Sequence, residues 1–175
     1  AAALTPNGTV QINNGGTLNL NANGAPTYSQ SITLASGGRL AMRKAATLSN
    51  VTLPSAGSVI FNSDDQSTVG FALNKNLALT GNLTVQVGGA QGSPGNVTLS
   101  GTISGSGGLN KTEAGTLVLT GANTYNGSTT VSAGTLALPS GSIASAITVA
   151  SNAKLGFTLG STFTSTAALT LSAGH

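Results

Sequence analysis

Apolar residues along the chain come in pairs two positions apart: Val10 and Ile12, Leu18 and Leu20, Ile32 and Leu34, Val51 and Leu53, Val59 and Phe61, Leu77 and Leu79. The series continues with Leu83, Val85 and Val87, then Val97 and Leu99, Leu117 and Leu119, Leu136 and Leu138, Ile147 and Val149, Leu155, Phe157 and Leu159, and Leu169 and Leu171. A period of two sends alternate side chains to opposite faces, so each pair predicts a short strand with one buried side. Between the pairs lie NNGG at 13–16, NANG at 21–24, SGG at 36–38, NSDD at 62–65 and SGSGG at 104–108. Gly and Asn reach positive φ at low cost, and these clusters are predicted turns. Helical spacing is nowhere sustained; AAAL at the start and RLAMRKAATL at 39–48 come closest. The pattern predicts an all-β chain.

Strand pairs separated by turns at about 8 to 12 residues ordinarily suggest a sandwich or barrel. Three features favour a solenoid. The strands are short, aromatic residues make up 3% of the chain, and the phrase G-T-L-x-L occurs at 115–119 and again at 134–138. Three short strands per coil would place small and aliphatic side chains inside and stack like upon like. Coils of roughly 20 to 28 residues at about 4.8 Å per step give about seven rungs and a rod near 35 Å. The expectation is one elongated β-helix segment over residues 1–175. Neither end shows a polar capping element, which suggests a piece of a longer rod.

Composition narrows the functional classes. Charged residues are 5% of the chain, against about a quarter in ordinary domains. Hydrophobic residues at 39% and a formal net charge of +3 argue against a disordered chain, which pairs low hydrophobicity with high charge. The sequence pI near 9.7 comes from six Lys and Arg against three acids. That is too sparse for a phosphate-binding face, so no nucleic-acid partner is expected. The absence of Cys removes disulfide frameworks and thiolate metal sites, and suits a chain that crosses an oxidising compartment unfolded. No apolar run approaches the roughly 20 residues of a spanning helix. The start, AAALTPNG, lacks the basic and apolar regions of a signal peptide.

Residues 101–138 read GTISGSGGLNKTEAGTLVLTGANTYNGSTTVSAGTLAL. Gly107, Gly108, Leu109 and Lys111 open the phrase, and Gly115, Thr116, Leu117 and Leu119 follow. Gly121 with Asn123, Thr124 and Tyr125 comes next, then Gly127, Thr129 to Val131, and Gly134, Thr135, Leu136 and Leu138. This order resembles the autotransporter-associated β-strand repeat, or passenger-associated transport repeat, of bacterial type V autotransporter passengers. Glu113 and Ala114 stand where the family more often has Gly, and Ser128 follows Gly127 where a second Gly is common. A weaker echo, GTVQINNGGTLNL, lies at 8–20.

The resemblance implies a right-handed parallel β-helix, secretion or display at the bacterial cell surface, and a role in passenger folding and export. The partners it implies are neighbouring passenger rungs and an outer-membrane β-barrel translocator in the same parent chain. A host surface or matrix ligand, as for an adhesin, and self-association are further expectations. No cofactor is implied. A solenoid folds by propagation from coil to coil, so rungs that stack as they emerge from a pore would bias movement outward.

Candidate sites for other chemistry are few. His175 is the only histidine and the last residue, whereas a triad or metal site needs an imidazole held by packing. The acids are Asp64, Asp65 and Glu113. Adjacent Asp64 and Asp65 point to opposite faces if extended, and in the turn NSDDQS either could hold a cation weakly. Glu113 is expected at the surface beside Lys111 as an exposed pair of little energetic weight. Arg39, Arg43 and Lys44 form the only basic cluster, a candidate contact patch for acidic glycans or lipid headgroups, with a solvated edge as the plainer reading. Tyr125 is expected to pack at a corner.

Two other classes remain open at this stage. A β-solenoid ice-binding protein would use its frequent Thr, as in TFTST at 162–166, but needs T-x-T once per rung, and that recurrence is missing. A β-helix carbohydrate enzyme would need paired carboxylates, and acids are scarce. No enzymatic activity is expected.

Overall fold

The computed structural model describes residues 9–20, 27–28, 30–42, 46–63, 70–88, 95–139, 143–157 and 168–172. Among them the chain is all β, with no helix, and its strands stack in parallel as a β-solenoid.

Each coil lays a strand on successive faces before returning to the first. The longest sheet holds eight strands: β2 (Thr17–Leu20), β5 (Gly38–Met42), β8 (Gly57–Ser63), β11 (Leu83–Val87), β14 (Leu109–Thr112), β16 (Thr129–Val131), β18 (Ile147–Val149) and β20 (Leu169–Leu171). A seven-stranded sheet holds β3 (Thr27–Tyr28), β6 (Ala46–Leu48), β9 (Gly70–Leu73), β12 (Asn96–Leu99), β15 (Thr116–Leu119), β17 (Gly134–Leu138) and β19 (Ala153–Phe157). The third face is made in pieces. It comprises β1 (Thr9–Ile12), β4 (Ser31–Leu34) and β7 (Val51–Thr52), then β10 (Leu77–Leu79) and β13 (Ile103–Gly105), then a single parallel bridge between Asn123 and Ile143.

The register explains the period of two. In the longest sheet the inward positions form one column of Val59, Val85, Lys111, Val131 and Val149, and another of Leu83, Leu109, Thr129 and Ile147. In the seven-stranded sheet the columns are Phe71, Val97, Leu117, Leu136 and Leu155, and Leu73, Leu99, Leu119 and Leu138. The duplicated phrase is therefore two consecutive rungs in direct contact, with Thr116 on Thr135 and Leu117 on Leu136. Between the two sheets, Phe61 and Phe71 meet with ring centroids 5.3 Å apart at 60°, a tilted geometry that suits the quadrupoles of aromatic rings.

Coil length varies within the expected range and just below it. Gly57 pairs with Leu83 and Leu83 with Leu109, offsets of 26 residues, whereas Leu109 pairs with Thr129 at 20 and Thr129 with Ile147 at 18. The eight-stranded sheet advances by seven steps, roughly 34 Å at about 4.8 Å each.

Several strands escape the apolar-pair pattern. In β14 and β16 one inward position of each pair is polar, Lys111 and Thr129 respectively. β13 carries only Ile103, and the helix-like stretch at 39–48 contributes β5 and β6 instead.

Inward and outward positions predict contrasting responses. Leu117 is fully buried, whereas Val118 faces outward and is half-buried. Leu117→Ala is expected to cost about 2–5 kcal/mol, and Val118→Ala less than about 1 kcal/mol, as read from urea unfolding midpoints.

Candidate functional site

The matched chemistry of a rung stack lies in its corners and its interior. At the corners, glycine is dictated by contact between successive backbones. A Cβ on Gly115 would lie 2.5 Å from the Gly95 carbonyl oxygen, and one on Gly121 would lie 2.2 Å from that of Gly101. On Gly127 it would meet the Gly107 backbone at 2.3 Å, and on Gly108 the Ser128 carbonyl at 2.5 Å. Gly134 also holds a positive φ of 69°, and a Cβ there would lie 2.4 Å from the carbonyls of Glu113 and Gly115. Three corners of the coil thus stack backbone directly upon backbone, which only a residue without Cβ permits.

Inside, the repeat places polar groups and satisfies them. Lys111 sits in the valine column with 0% of its surface exposed. Its Nζ donates to the carbonyls of Thr112 at 2.7 Å, Glu113 at 2.7 Å and Ala133 at 3.2 Å. All three ammonium protons are taken, and the third bond ties the coil to the next one. Burial pushes the Lys111 ammonium down to about 8, with the Glu113 carboxylate pulling the other way.

The expected surface pair of Lys111 and Glu113 is corrected here: Glu113 is exposed, but Lys111 turns inward. The period of two fixes that direction, since Lys111 is two residues from buried Leu109. Glu113 itself adopts a φ of 66°, a left-handed conformation that favours glycine. Its carbonyl is thereby presented to the Lys111 Nζ.

A second buried network lies one strand on. The Tyr125 hydroxyl and Thr129 Oγ1 are 2.6 Å apart, and Thr129 Oγ1 and Ser145 Oγ are 2.7 Å apart. All three residues are buried. Burial pushes the Tyr125 phenol up, and its bonds to Thr129 and Ser145 oppose that shift. Asn123, also buried, accepts from Ile103 N at 3.0 Å through Oδ1 and donates from Nδ2 to the Gly121 carbonyl at 2.9 Å. Its side chain stands in for strand hydrogen bonds where the third face has only a bridge. Leu109, Leu117, Leu119, Val131, Leu136 and Leu138 fill the core around these groups.

The remaining candidates do not assemble. Arg39 is half-buried in β5 between Thr17 and Ile60, while Arg43 and Lys44 lie outside the described residues, as do Asp64, Asp65 and His175. Among the described residues Glu113 is the only carboxylate, and no three of His, Cys, Asp and Glu come together as metal ligands. Outward positions of the long sheet read Thr84-x-Gln86, Asn110-x-Thr112, Thr130-x-Ser132, Thr148-x-Ala150 and Thr170-x-Ser172. T-x-T does not recur on them, and TFTST lies outside the described residues. Sequence reasoning missed Thr129 and Ser145 as members of a buried network. The available signal was a Thr at an inward position that adjacent coils fill with Leu109 and Ile147.

The family model described as passenger-associated-transport-repeat matches residues 109–138. These residues carry the Lys111 cage, the Asn123 and Tyr125 contacts and the corner glycines Gly115, Gly121, Gly127 and Gly134. Comparison with curated proteins and with solved structures gives no match.

Two outcomes follow for the cage. Lys111→Met removes the donor from three carbonyls and is expected to cost about 1–3 kcal/mol. Because the folded state lowers the Lys111 pKa to about 8, the unfolded chain binds the extra proton above that pH. Stability should therefore rise from pH 8 towards pH 10, the ordinary tyrosine range, beyond which Tyr125 acts in the opposite sense. Urea midpoints of the parent chain should climb across this window, and those of Lys111→Met should stay level. Glu113→Gly should relieve the left-handed strain and gain about 1 kcal/mol in the same assay.

Proposed function

We propose that this chain is a structural segment of a bacterial autotransporter passenger, a stalk that supports folding and secretion of the passenger and carries no catalysis. The single observation that carries this reading is that residues 109–138, matched by the passenger-associated-transport-repeat family, spend their repeated phrase on stacking. The repeat's glycines permit corner contact. Lys111, Asn123 and Tyr125 are consumed by internal hydrogen bonds, and its leucines fill inward columns.

A stack of this kind offers a folding template at every step. Each completed coil presents an edge of unpaired N–H and carbonyl groups and a row of apolar side chains to the next. Coils that form outside the outer membrane would hinder return through a translocator barrel in the same parent chain. Adhesion to a host surface or matrix would belong to outward side chains or to another module of that parent. The scarcity of charge keeps the segment compatible with passage as an unfolded thread.

Deleting residues 101–138 from the parent protein is expected to reduce its surface display and raise its protease sensitivity, measured on whole cells. Display and resistance at the level of the intact protein would sink the proposal.

A further inference from the structure

The third face is the side on which coil-to-coil pairing is interrupted. β7 pairs with β4 of the preceding coil and β10 with β13 of the following one, but β7 and β10 do not pair with each other. The other two faces run through the same level without a break, β8 to β11 and β9 to β12. Contact on the third face resumes only at Ser55, whose carbonyl accepts from Thr80 N at 3.0 Å and Gly81 N at 3.4 Å. The opening therefore spans the run Val51-Thr52-Leu53-Pro54. Pro54 lacks an N–H and cannot serve a regular ladder there.

The result is a cleft of about 160 Å³ between two coils. Val51, Leu53 and Leu77 line it, and it reaches the core residues Leu73, Leu99 and Ile103. An enclosed aliphatic cavity of about 150 Å³ accepts a benzene-sized apolar molecule, and this cleft offers a similar volume while opening to solvent at one side. Two of the polar side chains around it are engaged with neighbouring residues. Ser55 Oγ accepts from Thr80 Oγ1 at 3.0 Å, and Asn76 Oδ1 accepts from Thr102 N at 2.9 Å. Lys75, exposed, is the one charged residue of the lining and forms no ion pair with a described residue.

We propose that this cleft is a binding site for a small aliphatic carboxylate. The tail lies among Val51, Leu53 and Leu77, and the carboxylate faces the Lys75 ammonium. Apolar depth and a single cation select this class over others. A neutral alkane derivative gains only the burial, and an alkylammonium meets a like charge at the mouth. Each methylene that enters adds a factor of about four in affinity, until the cleft is filled at roughly six carbons.

The test titrates the full chain with hexanoate, hexan-1-ol and hexylammonium while following methyl NMR signals. Hexanoate is expected to shift the methyls of Leu53, Leu77 and Ile103 saturably. Hexylammonium should bind about fivefold more weakly, a difference that shrinks with added salt. Lys75→Gln, on an exposed side chain, should keep the methyl shifts but lose the preference of hexanoate over hexan-1-ol. Leu53→Trp, which fills the cleft, should abolish the shifts with far-UV circular dichroism unchanged. If Leu53→Trp does not fold, the ligand series on the parent chain and on Lys75→Gln decides alone. Absence of saturable shifts at these methyls would overturn the site, and equal affinity for hexanoate and hexylammonium would overturn the carboxylate assignment.

Discussion

In a parallel coil every inward side chain must land on an inward side chain of the next coil while the corner backbones come into van der Waals contact. This stacking constraint accounts for most of what is seen in the chain. It puts Thr116 on Thr135 and Leu117 on Leu136, so like residues recur at one coil's spacing. It also brings Gly121 against Gly101 and Gly127 against Gly107, where any side chain would push the coils apart. A phrase as plain as G-T-L-x-L is plain because it must fit upon a copy of itself.

The polar interior meets the same constraint in another way. Between residues 83 and 147 the offset falls from 26 to 20 and then 18. The third face shrinks over this stretch from the strand pair β10–β13 to the single bridge of Asn123 with Ile143. Shorter coils have fewer backbone groups with which to make ladder bonds. The Asn123 side chain supplies two bonds in their place, and the Tyr125, Thr129 and Ser145 hydroxyls link adjacent coils. Lys111 closes the opposite turn through the Ala133 carbonyl of the next coil. Buried polar groups of this kind stabilise little on balance, but they penalise a slipped register, since any shift would leave them unpaired.

These choices also decide which chemistry the segment can perform. Its buried lysine and tyrosine are held by neighbours and have no access to a substrate. The described residues offer no second carboxylate to work with Glu113. Where stacking lapses, beside Pro54, the core opens to solvent. There the cleft coincides with the missing pairing of β7 and β10.

Most strand pairs, and turns such as NNGG at 13–16, were legible in the sequence because burial on one side of a short strand writes a period of two directly into residue type. SGSGG at 104–108 instead begins inside β13 and NSDD at 62–65 begins inside β8, while NANG at 21–24 lies outside the described residues. The parallel sense of the coil was implied by the family resemblance. The near-duplicate at 115 and 134 gave the stacking distance of one coil. What the sequence alone determined was thus the alternation and the repeat, both consequences of local geometry. The Ala133 carbonyl that receives Lys111, the left-handed Glu113, the Tyr125–Thr129–Ser145 network and the break between β7 and β10 required the tertiary structure. The Lys111–Ala133 and Thr129–Ser145 bonds depend on which carbonyl or hydroxyl the next coil presents at that height. Such partners lie 16 to 22 residues away, as with Thr129 and Ser145 or Lys111 and Ala133, and only the register of one coil on another brings them within reach.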